Sequence, residues 1–274
     1  MTEEIDFDVE LHEQRDEGSV YRTQNDPSDP FQRVNITERR GALDIRCTHK
    51  EVIHGYLKDG VGPASLIVYE FQFDRRKKAR RISRVDVEFV YGGGAREPEV
   101  LEVAPRGRMS MEPTTQTETI TWGGGLQAGV TPTGVAQLGG NYKWEKVTGR
   151  ETKDATIVVG SPILVKRNYG KWNGASWTLL ENESTLTGVP AFFQAAVLLK
   201  RADNSPFHSV FTINASVDLF SSLKALVGSK PKDDAVLYDP LLPPTNQLRD
   251  YDLENLETVD LQGLGIASFT TPTN

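Results

Sequence analysis

The chain has 274 residues, 38% of them hydrophobic, and a formal net charge of −7. A chain of this length buries roughly three-quarters of its unfolded surface, so its core needs no disulfide or metal ion. The composition excludes wholesale disorder and fibrous repeats. A membrane-spanning helix needs about 20 apolar residues, and the longest nearly uncharged apolar run, 189–199, is much shorter.

The negative charge is concentrated at the N-terminus. Among the first 18 residues, eight are acidic and only Arg15 is basic, so this segment alone carries −7. Residues 25–30 then contain two Xaa-Pro pairs, which disfavour helix. We therefore predict a disordered acidic arm and a Pro-containing linker over 1–32, and one domain over 33–274. Because a secretory signal begins basic and continues apolar, the acidic start predicts an intracellular protein, cytoplasmic or nuclear.

Two segments alternate apolar and polar side chains with the period of a β-strand. Nine residues, many of them charged, separate the two segments, which predicts a β-hairpin. The side chains that share the apolar side are Ile67, Tyr69, Phe71 and Phe73 in the first segment and Val85, Val87, Phe89 and Tyr91 in the second.

Many further short strands follow without helical patterns between them, which is typical of an antiparallel β-sandwich. One short C-terminal helix is predicted over 218–228, because Asp218 suits an N-cap and Gly228 the position after the last turn. Widely spaced apolar residues in 248–266 are expected to dock as a C-terminal strap. The further predicted strands are 99–103, 156–165, 176–181, 192–200 and 210–217.

Residues 114–160 are the least core-like part of the domain. Five of the eight residues 114–121 are threonine, and seven of the 18 residues 123–140 are glycine. Such composition predicts a long polar Thr/Gly-rich hairpin. Its return strand carries charges on both faces, which argues against insertion into lipid. The candidates for a ligand-binding surface here are Trp122, Tyr142 and Trp144, whereas Trp177 is predicted to anchor the core.

A basic loop lies between the first two predicted strands. The basic-loop contact candidates are Arg75, Arg76, Lys77, Lys78, Arg80 and Arg81. Residues 77–80 resemble a nuclear import signal. No aromatic side chain between Asp74 and Ile82 could stack on a base, which argues against nucleic acid. Masking of this loop by the acidic arm is an open hypothesis.

No catalytic or metal-binding motif is recognisable. Cys47, His49 and His54 are close in sequence, but a metal site needs further ligands, and neither Cys-x-x-Cys nor His-Glu-x-x-His occurs. A Cys47 nucleophile with His208 as base lacks a supporting motif. We expect no cofactor, no metal and no catalytic residue, with Cys47 a buried thiol beside surface histidines.

Two acidic clusters in the C-terminal segments resemble the calcium loops of lipid-binding β-sandwiches. One contains Asp233, Asp234 and Asp239, and the other lies within 250–254. Calcium needs six to eight oxygen ligands that converge from more than one loop. Solvated or turn-capping aspartates are the alternative interpretation.

Several stretches resemble a family of uncharacterised intracellular fungal all-β proteins. The similarity spans roughly residues 60–262, and its motifs mark turns and strands. It implies an all-β intracellular protein in a fungus and supplies no reaction, ligand or functional residue. The stretches that carry it are 98–107, the polar hairpin ending in Val159-Gly160-Ser161, 177–182 with Gly188-Val189-Pro190, and 233–240.

Together these patterns favour a non-enzymatic intracellular protein that binds a protein or a small ligand. The sequence identifies neither that ligand nor the oligomeric state. Two alternatives stay open. One is an enzyme of hydrolase type whose site is assembled from distant loops. The other is a β-sandwich that associates with membranes through calcium or through charge.

Overall fold

The computed structural model describes residues 22–40, 43–58, 61–75, 81–111, 119–121, 155–218, 233–245 and 249–269. Regular structure in these ranges consists of β-strands and two short 3-10 helices, Leu256–Thr258 and Gln262–Leu264. The strands are β1 (Asn35–Arg39), β2 (Leu43–Tyr56), β3 (Pro63–Arg75), β4 (Arg81–Gly93), β5 (Glu99–Ala104), β6 (Gly107–Met111), β7 (Thr119–Thr121), β8 (Thr156–Ile163), β9 (Gly174–Leu180), β10 (Phe192–Lys200), β11 (Phe207–Asp218), β12 (Val236–Tyr238) and β13 (Ile266–Ser268).

The strands form two antiparallel sheets, which confirms the predicted all-β class. The first sheet has the order β1-β2-β3-β10-β13-β7, and the second has the order β12-β11-β4-β9-β8-β6. Strand β10 pairs with β3 along one edge. On its other edge β13 pairs with residues 192–194 and β5 with residues 196–200. The predicted helix, beyond Asp218, and most of the predicted polar hairpin lie outside the described residues.

The inner faces of the two sheets form the main core. The rings of Tyr69 in β3 and Phe89 in β4 stack with their centroids 4.0 Å apart. Trp177 in β9 is fully buried, and its indole Nε1 donates to the carbonyl oxygen of Pro105 at 3.2 Å. Buried aromatic side chains of this size dominate core energetics. The prediction that Trp177 anchors the core is confirmed.

The predicted hairpin between the first two strand segments is wrong. Strand β3 pairs with β2 and β10, whereas β4 pairs with β11 and β9 in the other sheet. The chain therefore crosses from one sheet to the other through the basic loop. A hairpin within one sheet and a crossing between two sheets give the same period-two alternation, because each arrangement buries one side of each strand. The two apolar sides face each other across the interior.

A β-bulge in β2 decides where its histidines point. The register with β3 shifts between His49 and Glu51, and a one-residue insertion exchanges the two faces of a strand. His49 and His54, five residues apart, consequently both lie inside the sandwich, at 3% and 7% exposure. The expectation of surface histidines is wrong, whereas Cys47 is fully buried as predicted.

The C-terminal residues cover the outer face of the first sheet. Leu256, Leu261 and Leu264 are buried in a second apolar cluster against residues such as Leu66 and Leu198. The side-chain amide of Gln194 donates to the carbonyl oxygen of Leu264 at 2.6 Å. Because β10 is covered on both faces, eight of its nine residues are buried.

The segment before the first strand is held to the domain earlier than expected. The sequence assigns residues up to 32 to the arm and linker, but the backbone N–H of Thr23 donates to Asp233 Oδ1 at 2.7 Å. The Arg33 guanidinium donates to the carbonyl oxygens of Asp234 at 2.7 Å and Ala235 at 3.3 Å. These contacts fix residues 22–33 beside the strand β12.

Candidate functional site

A groove lies on the outer face of the second sheet, where β4 pairs with β11. Val90 is opposite Val210, and Gly92 is opposite His208. The side chain of Tyr91, which lies between Val90 and Gly92 in the chain, is buried inside the sandwich. Since neighbouring strand residues point to opposite faces, the four paired residues form an outward-facing floor. Val210 remains 40% exposed.

The loop 164–173, which joins β8 to β9, forms one wall of the groove. Asn173 closes the base of this loop. Its Oδ1 accepts from the backbone N–H of Val165 at 2.9 Å, and its Nδ2 donates to the Val165 carbonyl oxygen at 3.3 Å. The carbonyl oxygen of Asn173 also accepts from the N–H of Tyr91 at 2.8 Å. One buried amide therefore fixes the loop on the sheet.

Gly174 allows the loop to lie this close to the sheet. A Cβ atom added there would lie 2.9 Å from the carbonyl oxygen of Phe89 and 3.2 Å from Cγ2 of Val165. Phe89 O is a backbone atom of the central strand β4, so it cannot move aside cheaply. A side chain at position 174 would push the wall away from the floor.

Two cationic side chains of the loop line the groove. Arg167 Nη1 forms an ion pair with Glu97 Oε2 at 3.0 Å. Arg167 Nε is buried and finds no hydrogen-bond partner among the described residues. Lys166 is exposed, and its φ of 59° places a non-glycine residue in the left-handed region. Such strained conformations often occur at ligand sites.

His208 lies across two glycines at the end of β4. A Cβ atom at Gly92 would lie 3.0 Å from its Nε2, and one at Gly93 would lie 3.0 Å from its Nδ1. The missing side chains therefore make room for the imidazole. Within the described part of the chain, His208 makes no hydrogen bond, and it lines the groove.

The groove encloses about 300 Å³, which is at the lower end of the range for small-molecule sites. Val90 and Val210 make part of its floor apolar, and His208 and the walls supply hydrogen-bond donors and one carboxylate. The lining residues are Val90, Tyr91, Gly92, Glu97, Val165, Lys166, Arg167, Asn173, His208 and Val210.

A separate polar network lies in the interior between the sheets. The Nδ1–H of His49 donates to the Arg33 carbonyl oxygen at 2.7 Å, which leaves Nε2 to accept from the hydroxyl of Tyr238 at 2.9 Å. Burial lowers the pKa of His49 to about 4 and raises the pKa of Tyr238 to about 12. The Tyr238 oxygen also lies 3.4 Å from Tyr69 and 3.1 Å from Ser209. Because these groups are buried and satisfy one another, they stabilise the core.

The second buried histidine has its own partners. His54 Nε2 donates to Gln32 Oε1 at 2.6 Å, and its Nδ1 accepts from the Ser65 hydroxyl at 2.8 Å. Burial, with a smaller effect from the charge of Arg201, lowers the pKa of His54 to about 3. Burial likewise raises the pKa of the Cys47 thiol well above its usual value. Cys47 faces the core and His208 faces the outer groove, so the two cannot form a catalytic pair.

The basic-loop candidates are largely outside the described residues. Residues 76–80 are not described, and Arg75 is described only as the last backbone position of β3. Arg81 begins β4, and its Nε lies 2.9 Å from Oε2 of Glu181. Glu181 also accepts from the backbone N–H of Gly188 at 3.2 Å. Arg81 thus has a role in the fold, and partner binding by the loop stays a prediction.

The remaining candidates either lie outside the described residues or have contacts within the fold. Trp122, Tyr142 and Trp144 lie outside the described residues, as does the acidic arm up to residue 21. Asp233 is engaged by Arg39 at 2.8 Å, and Asp239 and Asp252 cap turns within their own segments. No group of three or more His, Cys, Asp or Glu residues in the described ranges has the arrangement of a metal site.

The groove was not predicted from the sequence. In the sequence, the glycines of 92–94 and the Asn-Gly pair of 173–174 are typical of turns, and Lys166 and Arg167 belong to no recognisable motif. The one available signal was the occurrence of two adjacent cations in a loop that ends in Asn-Gly. That signal is common in hairpin loops and does not indicate over which strands the loop folds.

Comparisons with known proteins add little to the geometry. No protein-family model matches the chain, and no curated protein matches it. Among solved structures, the delta-toxin of Clostridium perfringens is similar over 74% of this chain and 92% of the toxin, with 8% identity and a TM-score of 0.22. At that TM-score the similarity supports no inference about activity. No helix within the described ranges has the length and apolarity to span a bilayer.

Proposed function

We propose that this protein is a non-enzymatic binding protein and that the groove on the second sheet is its small-ligand site. The observation that supports this proposal is the combination of an apolar floor, Val90 with Val210, and a wall that Asn173 fixes in place. Ligand sites typically combine an apolar surface with a few polar groups held by a rigid scaffold.

The lining of the groove favours binding over catalysis. His208 supplies the one imidazole in the lining, and the lining contains neither Ser, Thr nor Cys. A hydrolase of the triad type pairs a nucleophile with a base, and this groove would supply only the base. The alternative of an enzyme whose site is assembled from distant loops is tested by whether bound fragments are recovered chemically unchanged.

The experiment is a fragment screen by amide NMR on the isotope-labelled full chain. We expect hits to shift the amides of 90–92, 164–167 and 208–210. Val210→Trp should abolish these shifts, because it fills the floor at an exposed position. Tyr56→Trp, at 41% exposure on the other sheet, is the control. Hits that map elsewhere, or that persist in Val210→Trp, would overturn the proposal. Chemical conversion of the bound fragments would favour the enzyme.

A further inference from the structure

The groove contains more hydrogen-bond donors than acceptors. Lys166 has no ion pair within the described part of the chain, and Arg167 keeps a buried Nε–H without an acceptor. Glu97 supplies the one carboxylate in the lining, and Arg167 Nη1 already engages it. Both the oxygen and the nitrogen of the Asn173 amide are engaged by the backbone of Val165. The unsatisfied groups are therefore cationic donors.

Buried donors without acceptors are costly in a folded protein. Arg167 Nε, in particular, is taken out of water without a compensating bond, and its guanidinium suits a planar or tetrahedral oxyanion. The positive φ of Lys166 adds local backbone strain in the same wall. The lining of the groove brings together Lys166, Arg167 and His208, three side chains that can each donate to an oxyanion.

We propose that the groove binds an oxyanion, the phosphate or carboxylate group of a small molecule whose apolar part lies on Val90 and Val210. This inference rests on the proposed function, because it names the ligand class of the same groove. The volume of about 300 Å³ suits a compound of metabolite size and excludes a folded macromolecule from the groove.

Three probes that share a phenyl ring test this proposal: phenyl phosphate, benzoate and phenol. Binding is measured by amide NMR titration of the full chain at two salt concentrations. We expect the two anions to bind at least about tenfold more tightly than phenol, since charge-assisted hydrogen bonds are roughly twice as strong as neutral ones. The advantage should shrink at high salt.

Three variants separate an oxyanion site from a merely structural wall. Lys166→Gln and Arg167→Gln should weaken the anions about tenfold and leave phenol unchanged. Glu97→Gln should strengthen the anions, because it frees Arg167 from its competing carboxylate. Lys58→Gln and Arg108→Gln, at exposed positions outside the groove lining, are the matched controls.

The outcomes distinguish failure of the oxyanion inference from failure of the proposed function. Equal affinity for phenol and the anions within the groove would overturn the oxyanion inference and leave the proposed function standing. Weaker anion binding by Glu97→Gln would also overturn it, because the carboxylate would then be part of the site. No binding of the anions would overturn it as well, and the fragment screen then decides the proposed function independently.

Discussion

The phenol oxygens of Tyr69 and Tyr91 lie 2.9 Å apart in the interior, one from each sheet. Burial raises the pKa of both phenols well above the usual value, so both stay neutral. The pair belongs to a chain of hydroxyl groups that continues through Tyr238 to His49. A polar link of this kind fixes how the two sheets are aligned, since apolar packing alone has little directionality.

Removal of single hydroxyl groups from this network should destabilise the fold unequally. Tyr91→Phe removes one partner of Tyr69 and should cost about 1 kcal/mol of unfolding free energy. Tyr238→Phe removes a partner of His49, Tyr69 and Ser209 together, and should cost about 2 kcal/mol or more. Urea denaturation provides the measurement, with Tyr56→Phe as an exposed control. Equal costs for the two variants would contradict a central role for Tyr238.

Acid should destabilise the protein through its buried histidines. In the unfolded chain a histidine has a pKa of about 6.5, whereas the folded values are about 4 for His49 and about 3 for His54. The unfolded state therefore binds more protons below pH 6.5. The contribution of the two histidines to the free energy of unfolding is therefore fully present above that pH. It is lost as the pH falls toward 4 and then 3, by up to about 1.4 kcal/mol per pH unit for each histidine.

The measurement for this prediction is the urea midpoint between pH 7 and pH 4. His54→Asn should lower stability at neutral pH and flatten the decline with acid. The acid-dependent decline in His54→Asn is compared with that in His208→Asn, which changes a partly exposed histidine of the groove. A decline of the same steepness in His54→Asn and in the parent protein would rule out His54 as a source of the acid sensitivity.

Gly160 should tolerate no side chain. A Cβ atom there would lie 1.9 Å from the carbonyl oxygen of Pro105 and 2.8 Å from Cδ1 of Trp177. Gly160→Ala should therefore destabilise the protein by about 1–3 kcal/mol through overpacking. The thermal midpoint should fall accordingly, whereas Ser161→Ala, at the next position, should leave it nearly unchanged. A neutral Gly160→Ala would show that β8 can move away from Trp177 at little cost.

The C-terminal strap offers a matched pair of leucines. Leu256 is fully buried against the first sheet, whereas Leu253 is 38% exposed. Leu256→Ala should cost about 2–5 kcal/mol, the usual range for a buried leucine, and Leu253→Ala should cost much less. Chemical denaturation of the two variants gives the comparison. Similar costs would mean that the strap contributes little to the stability of the sheet beneath it.

The sequence predicted strands better than it predicted their partners. The predicted strand 192–200 matches β10, because its residues form a continuous apolar run that both faces of the sheet can bury. In the long strand β2 the alternation that would predict a strand is broken, because its register with β3 shifts between His49 and Glu51. Whether β3 and β4 share a sheet depends on contacts distant in sequence, such as β3 with β10, and local periodicity does not encode those.

The candidate site was hidden from the sequence for a related reason. Its residues come from three separate parts of the chain: Val90 to Glu97, Val165 to Asn173, and His208 to Val210. None of these carries a motif with fixed spacing. They are brought together by the pairing of β4 with β11 and by the close approach of the loop 164–173 to the sheet at Gly174. Both depend on tertiary contacts.

The position of β13 has a consequence for synthesis on the ribosome. Residues 266–268 add to the same edge of β10 that β5 occupies further along, and they also pair with β7. A nascent chain therefore cannot complete this edge until Ser268 has left the exit tunnel. Until then the edge of β10 at residues 192–194 presents unpaired backbone groups, and such edges invite aggregation.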